Sequence, residues 1–226
     1  MKWWLLGVVV VLVSCQPRAV QIEGPVPKGR VVVVLTPGSH FQNWGWWGPF
    51  PFLKGPQWAL WATDLDGHPL GTLMVTDKAA KQTWIGAQGR PESLPVWSHT
   101  RPPGPDLDAV SAATQGAPSS TTWRGTLPAS FIVYLEVNIS YDWNATWKKD
   151  LGPSDSFANG VNGQPSLVYR AVVRDASAPG AVPFELVGHG SALGTDGEIH
   201  GDLSGFDTAK DIFPTPAARI ENVARP

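Results

Sequence analysis

The sequence predicts an all-β fold, an immunoglobulin-like antiparallel β-sandwich of about eight to ten strands joined by long loops. From Phe131 to Trp143, apolar side chains occupy every odd position and mostly polar side chains occupy the even positions. Because side chains alternate between the two faces of a strand, this pattern indicates a long strand with one apolar face. Such a face is stable only against a second layer, so the rest of the chain is expected to complete a sandwich.

Composition supports a single turn-rich domain. The 226 residues include 24 glycines and 22 prolines, which are spread between the apolar runs of the chain. This spacing favours many turns between short strands, and no internal repeat or amphipathic helix of useful length is evident. The net charge is −2 and no basic patch is visible, which excludes nucleic acid as a class of partner.

The N-terminal segment has the layout of a secretory signal. Residues 1–14 contain one charged residue and an apolar run that is too short to span a bilayer. Leu12-Val-Ser-Cys15 resembles the lipobox of bacterial lipoproteins, in which the cysteine is lipidated and becomes the first mature residue. Cys15 is the only cysteine, so lipidation is expected rather than an ordinary signal peptide with an incidental cysteine. Residues 15–29 then form the lipidated cysteine and a spacer, and 30–226 a single β-sandwich domain.

Segments rich in β-branched and apolar residues, bounded by turn residues, are predicted to be strands. The first is the run at 30–36, and the runs at 57–63 and 69–76 form a hairpin about a turn at Asp66-Gly67. The remaining expected strands are 83–85, 94–98, 166–174, 183–188 and 218–223, and a long loop is expected at 99–122.

An aromatic segment follows the first predicted strand. Its members are Phe41, Trp44, Trp46, Trp47, Phe50 and Phe52. In one interpretation it is a loop folded over one end of the sandwich to fill the core, which is favoured because aromatic side chains in β-domains are usually buried. In the other, it is an exposed aromatic platform for a sugar, peptide or ring ligand, centred on Trp44, Trp46 and Trp47.

No catalytic or metal-binding constellation is recognised. Asp64 and Asp66 fit the start of a calcium loop, but Val75 occupies the position that requires glutamate. His189 and His200 could converge from one turn region, although polar turn residues explain their neighbourhood more simply. Nucleophile-elbow, phosphate-loop and dinucleotide motifs are absent from the sequence, so neither an enzyme nor a metal site is predicted.

Several segments between residues 56 and 212 resemble an uncharacterised family of bacterial extracytoplasmic domains. The segments that carry the resemblance are Pro56-Gln-Trp-Ala-Leu-Trp-Ala-Thr-Asp-Leu-Asp-Gly67, Leu73-Met-Val-Thr-Asp77, Asp108-Ala-Val-Ser-Ala-Ala-Thr114, Tyr134-Leu-Glu-Val-Asn138, Gly201-Asp-Leu-Ser-Gly205 and Thr208-Ala-Lys210. Members of this family are predicted periplasmic proteins of unknown function, and they resemble the immunoglobulin-like module of a flagellar hook-assembly protein. The resemblance implies a periplasmic location and a β-sandwich, and it implies no reaction.

One fragment suggests a cofactor. Asp108-Ala-Val-Ser-Ala-Ala-Thr114 is similar to the target motif of the flavin transferase that attaches FMN to a threonine through a phosphoester. The resemblance implies that Thr114 would hold the flavin and Asp108 would help to dock the transferase. Ala112 stands where the motif has glycine, and close approach to a phosphate favours glycine. A loop in which these polar residues cap turns is the preferred alternative.

Two functional hypotheses result. The first is a lipid-anchored extracytoplasmic lipoprotein of the bacterial envelope that acts as a non-enzymatic binding or structural module without a cofactor. Several acyl chains on Cys15 would anchor it to a membrane, and its further partner would be a protein or a small molecule. The alternative is an extracytoplasmic redox protein that carries FMN on Thr114 or serves a flavin-dependent partner.

Overall fold

The computed structural model describes residues 30–47, 49–84, 87–101, 110–112, 120–149 and 161–221. Its strands are β1 Arg30–Leu35, β2 Asn43–Trp47, β3 Phe50–Lys54, β4 Gln57–Thr63, β5 Pro69–Thr76, β6 Thr83–Trp84, β7 Ala87–Gln88, β8 Val110–Ala112, β9 Thr121–Thr126, β10 Phe131–Asn138, β11 Leu167–Val173, β12 Gly180–Pro183, β13 Glu185–His189 and β14 Ala217–Glu221. The helices are α1 Asp77–Lys81, α2 Pro95–Thr100 and a 3₁₀ turn, Thr208–Asp211. Among these residues, no helix is both long enough and apolar enough to cross a membrane.

Two sheets pack face to face, which confirms the predicted all-β sandwich. Within the described residues, one sheet has the order β12-β14-β1-β9 and the other the order β13-β11-β10-β4-β5-β8. Pairing is antiparallel except between β5 and β8, which run parallel. The core between the sheets is built from alternate side chains of the facing strands. It includes Val31, Val33, Leu35, Trp58, Leu60, Trp123, Leu135, Val137, Leu167, Tyr169, Ala218 and Ile220.

Strand β10 lies at the centre of the larger sheet and pairs with β4 and β11. Its odd-numbered side chains from Phe131 to Val137 are buried in the core, as predicted. The strand ends at Asn138, so the predicted extension to Trp143 is wrong. Alternation stops because Tyr141 adopts φ 66°, a left-handed conformation that a strand cannot contain.

Two short helices cover the outer face of the larger sheet. Helices α1 and α2 contribute Ala79, Val96 and Trp97 to a second apolar cluster with Trp61 and Val168. The predicted strand at 94–98 is therefore wrong, since this segment forms α2 with proline in its first turn. The predicted loop at 99–122 also contains the end of α2, β8 and the first residues of β9.

The predicted hairpin of β4 and β5 is confirmed, and its turn is held by the side chain of Asp64. Oδ1 of that residue accepts hydrogen bonds from the backbone N–H groups of Asp66 and His68 at 3.0 and 2.8 Å. Gly67 adopts φ 90°, which explains glycine at the turn. The predicted strand at 183–188 is interrupted at Phe184, because β12 and β13 belong to different sheets.

Candidate functional site

Strands β2 and β3 form a separate hairpin, the aromatic hairpin (residues 43–54), which belongs to neither main sheet. The register places Trp44 opposite Leu53 and Trp46 opposite Pro51. Because opposed residues share a face, these four side chains form the outer face of the hairpin. Asn43, Gly45, Phe52 and Lys54 form the inner face.

The inner face attaches the hairpin to the turn that follows β10. The Asn43 amide donates to the carbonyl oxygens of Ser140 and Tyr141 at 3.1 and 2.9 Å. The ring of Phe52 packs edge-on against that of Tyr141, with centroids 6.1 Å apart. A Cβ atom at Gly45 would collide with both rings, so only glycine permits this approach.

The outer face and the tip of the hairpin are solvent-exposed. The exposed fractions are 60% for Trp44, 67% for Trp46, 72% for Phe50 and 42% for Leu53. The favoured interpretation of a core-filling loop is therefore wrong for these residues, although it holds for Phe41, which is buried against Phe213. The side chain of Trp47 lies outside the described part of the structure.

Lys54 is half-buried on the inner face of the hairpin. Its amine lies 4.4 Å from the centre of the Tyr141 ring, 5.4 Å from that of Phe52 and 3.5 Å from the Tyr141 hydroxyl oxygen. Among the described residues it forms no ion pair. Burial, together with repulsion from Arg90 and Lys78, lowers the pKa of Lys54 to about 8.

A buried polar network supports the turn beneath Tyr141. Arg90 donates to Glu92 at 3.0 Å, to the Ser140 hydroxyl at 3.2 Å and to the side-chain oxygen of Asn162. The amide of Asn162 in turn donates to the backbone carbonyl of Glu92 at 3.1 Å. The buried guanidinium is thus paired and hydrogen-bonded, as a buried charge requires. This network fixes the residue directly before Tyr141.

Next to this turn, Asp142 joins His40, Gln164 and Thr208. The Asp142 carboxylate forms a hydrogen bond with Nε2 of His40 at 2.9 Å. This hydrogen bond is the main reason that the pKa of His40 is raised. Thr208 donates its hydroxyl to the same carboxylate at 2.7 Å rather than to the imidazole. The hydroxyl of an activated nucleophile would instead donate its hydrogen bond to the imidazole. This arrangement therefore supports a structural role, in which Asp142 joins the turn after β10 to the 3₁₀ turn.

Sequence analysis did not identify Glu136 as a special position. It is fully buried in β10 and accepts hydrogen bonds from Ser166 at 2.6 Å and from the backbone N–H groups of Val96 and Trp97. Burial raises its pKa to about 7, against the opposing effect of these donors. A lone glutamate in an otherwise strand-forming segment was the available signal, but its partners are remote in the chain.

His189 and His200 converge, as the sequence suggested. Their rings stack with centroids 5.3 Å apart, and their backbones exchange two hydrogen bonds of 2.9 Å. Among the described residues, they belong to no group of three metal ligands. Asp64, Asp66 and His68 do form such a group at the β4–β5 turn, where their hydrogen bonds hold the turn itself.

The remaining sequence-predicted sites, Cys15, Asp108 and Thr114, lie outside the described residues. Lipidation and flavin attachment therefore stay predictions. Comparison of the chain with protein-family models, curated proteins and solved structures gave no match. The resemblance to periplasmic domains also stays a prediction, and the geometry of the hairpin is the main guide to function.

Proposed function

We propose that this protein is a lipid-anchored extracytoplasmic module that docks on a membrane surface through the aromatic hairpin and catalyses no reaction. The observation that carries the proposal is the exposed apolar outer face and tip, above all Trp44 and Trp46 at 60% and 67% exposure. Contiguous exposed apolar surface of this kind marks a site of interaction with a membrane or a partner. We also propose that the β-sandwich is immunoglobulin-like, because the sequence has the turn-rich pattern of short strands that is typical of that class.

The chemistry of the outer face favours a bilayer over a sugar. Trp44, Trp46, Pro51 and Leu53 offer only apolar area, apart from the two indole N–H groups. Sugar recognition needs several convergent hydrogen-bonding groups around a stacking ring. Tryptophan prefers the membrane–water interface, where the ring meets apolar chains while the N–H group stays hydrated.

The expected anchor at Cys15 places the hairpin near a bilayer. The 15 Cα–Cα steps from Cys15 to Arg30 span at most about 50 Å when fully extended. Tethering within this distance raises the effective concentration of the hairpin at the membrane, so a weak contact suffices. The hairpin then acts as a second attachment that sets the orientation of the domain.

The test uses the unlipidated mature chain, residues 15–226 with Cys15→Ser, and phosphatidylcholine vesicles. Binding is followed by co-sedimentation and by the blue shift of tryptophan fluorescence. Leu53→Ser should weaken binding about three- to tenfold, because it removes apolar area from the outer face. Leu70→Ser is the matched control, since Leu70 is 43% exposed against 42% for Leu53 but lies on β5.

Equal effects of the two leucine substitutions would contradict docking through the hairpin. Absence of vesicle binding by the unsubstituted chain at millimolar lipid, the range of effective concentration that a short flexible tether provides, would contradict it as well. Trp44→Ser combined with Trp46→Ser supplies a stronger test on the same face, and it should abolish the blue shift.

A further inference from the structure

We propose that Lys54 forms a binding site for a phosphate group at the base of the aromatic hairpin, beside the ring and hydroxyl group of Tyr141. The bound group would be either the headgroup of an anionic lipid or a phosphate in solution. The headgroup source rests on the proposed membrane docking, whereas the site itself does not.

Among the described residues, Lys54 has aromatic and hydroxyl neighbours but no carboxylate within ion-pair distance. Two aromatic rings lie within 5.4 Å of its amine and the Tyr141 hydroxyl oxygen lies at 3.5 Å. These contacts leave N–H donors of the ammonium group without a strong acceptor. Since the side chain is only half-buried, an anion can approach the amine from the open side.

The charges around Lys54 point in the same direction. Arg90 forms an ion pair with Glu92, with an N···O distance of 3.0 Å, and Lys81 forms one with Asp77 at 2.7 Å. These carboxylates compensate the two positive charges. Among the described residues, Lys54 and Lys78 have no carboxylate partner within ion-pair distance. Two amines that have no carboxylate partner among the described residues produce a locally positive field, which attracts a compact anion.

The backbone at Tyr141 is strained in a way that serves this site. Its φ of 66° is uncommon for a residue other than glycine. Such conformations persist only when the surroundings enforce them, and they cluster at ligand sites. Here the Asn43 amide and the network of Ser140 and Arg90 fix the turn, and the turn holds the tyrosine ring against Lys54.

The position along the hairpin makes a lipid phosphate accessible. Lys54 is four residues from Phe50 at the tip, which corresponds to about 13 Å along a strand. A tip inserted roughly 5–10 Å into the boundary between headgroups and acyl chains would leave Lys54 at the level of the headgroups. Lysine binds phosphate as a point charge and needs no fixed geometry.

An anion in this site is linked to a proton on Lys54. The unliganded amine has a pKa of about 8, lowered first by burial and then by repulsion from Arg90 and Lys78. An adjacent phosphate opposes both effects, so binding should raise this pKa. Affinity should therefore hold below pH 8 and fall as the pH rises above it, because the free amine then loses its proton.

The first arm of the test titrates the mature Cys15→Ser chain with inorganic phosphate and follows the Cε signal of Lys54 by NMR. We expect a saturable shift at pH 7 and an upward displacement of the Lys54 titration curve. Lys54→Met should lower the affinity by about tenfold or more, while Lys54→Arg should keep it and remove its dependence on pH above 8. Lys148→Met, a change at an exposed lysine, is the control.

The second arm compares phosphatidylglycerol with phosphatidylcholine vesicles. We expect tighter binding to phosphatidylglycerol vesicles than to phosphatidylcholine vesicles. Loss of this difference in Lys54→Met, with its retention in Lys148→Met, supports the site with a lipid headgroup as its ligand. Phosphate binding in solution without vesicle binding supports the site and contradicts membrane docking. The site is overturned if phosphate does not change the Cε chemical shift of Lys54 and if Lys54→Met still binds phosphatidylglycerol vesicles as tightly as the unsubstituted chain does.

Discussion

At the scale of single residues, Glu136 shows how one side chain joins two layers of the molecule. It lies on the even-numbered face of β10, where exposed polar residues would normally be expected, yet it is fully buried. Its carboxyl group accepts hydrogen bonds from the backbone N–H groups of Val96 and Trp97 at the start of α2. Those groups have no partner within the helix, so Glu136 serves as the cap of α2.

Stability should fall as the pH rises because of Glu136. Its pKa is raised from the ordinary glutamate value of 4.5 to about 7 in the fold, so the folded state binds the proton more tightly than the unfolded chain does. The stability that this proton provides is complete below pH 4.5 and is lost as the pH rises to 7, by about 3 kcal/mol. Glu136→Gln should flatten the free energy of unfolding over this range.

Urea unfolding at a series of pH values between 4 and 8 checks this expectation. Glu185→Gln, which removes a carboxylate from an exposed position on β13, is the matched control for the loss of one negative charge. The difference between each variant and the unsubstituted chain isolates Glu136 from His40, whose raised pKa acts in the same direction. If the free energy of unfolding of Glu136→Gln falls with pH as steeply as that of the unsubstituted chain, Glu136 is not the cause of the pH dependence.

Residue-scale prediction from sequence worked where the cause is local. Alternation alone identified the buried face of β10, because side-chain direction follows from the backbone of the strand. It could not identify Lys54 or Tyr141 as neighbours, since 87 residues separate them in the chain. Nor could it predict the φ of Tyr141, which contacts from distant segments impose.

At the scale of elements, the aromatic hairpin depends on the body of the protein. An isolated two-stranded hairpin is marginally stable in water, and this one pairs with neither main sheet. Its attachment comes from Asn43 at one end of β2 and from the packing of Phe52 on Tyr141. The hairpin should therefore open more readily than the sandwich.

Asn43→Ala should release the hairpin without unfolding the sandwich. It removes two hydrogen bonds to the carbonyl oxygens of Ser140 and Tyr141, with an expected local cost of about 1–3 kcal/mol. Amides of β2 and β3 should then exchange their hydrogens roughly five- to a hundredfold faster, whereas those of β10 should not change. Hydrogen exchange followed by mass spectrometry measures both.

Trp44→Ala, on the outer face of the same strand, should leave exchange in β3 nearly unchanged. Equal acceleration in β10 would mean that the hairpin is part of the global unfolding unit.

The elements that sequence analysis missed are those whose stability is not local. Helix α2 has six residues, too few for a helical period to be recognised, and it depends on Glu136 and on burial of Trp97. The exposure of Trp44 and Trp46 was equally inaccessible, because it depends on whether another layer covers the hairpin. The β4–β5 hairpin was predicted because Asp66-Gly67 specifies its turn locally.

At the scale of the whole molecule, β1 separates Arg30, the first described residue after the expected anchor, from the aromatic hairpin. The strand runs from Arg30 to Leu35, and the hairpin follows from Asn43. Six residues of strand are about 20 Å long. For Cys15 and the hairpin to reach one bilayer together, the segment from Cys15 to Arg30 must be able to span more than the length of β1. Its maximum of about 50 Å allows this.

Shortening the spacer should separate the two attachments. Deletion of residues 18–27 leaves four residues between Cys15 and Arg30, and the five resulting Cα–Cα steps span at most about 17 Å, which is shorter than β1. The deleted chain should still fractionate with membranes through Cys15, whereas Cys15→Ser should release the protein or block its processing. Loss of hairpin contact should appear as stronger quenching of Trp44 and Trp46 by a water-soluble quencher. Replacing residues 18–27 with a Gly/Ser sequence of equal length should restore protection. If the deletion leaves quenching unchanged, the hairpin does not dock on the bilayer that holds the anchor.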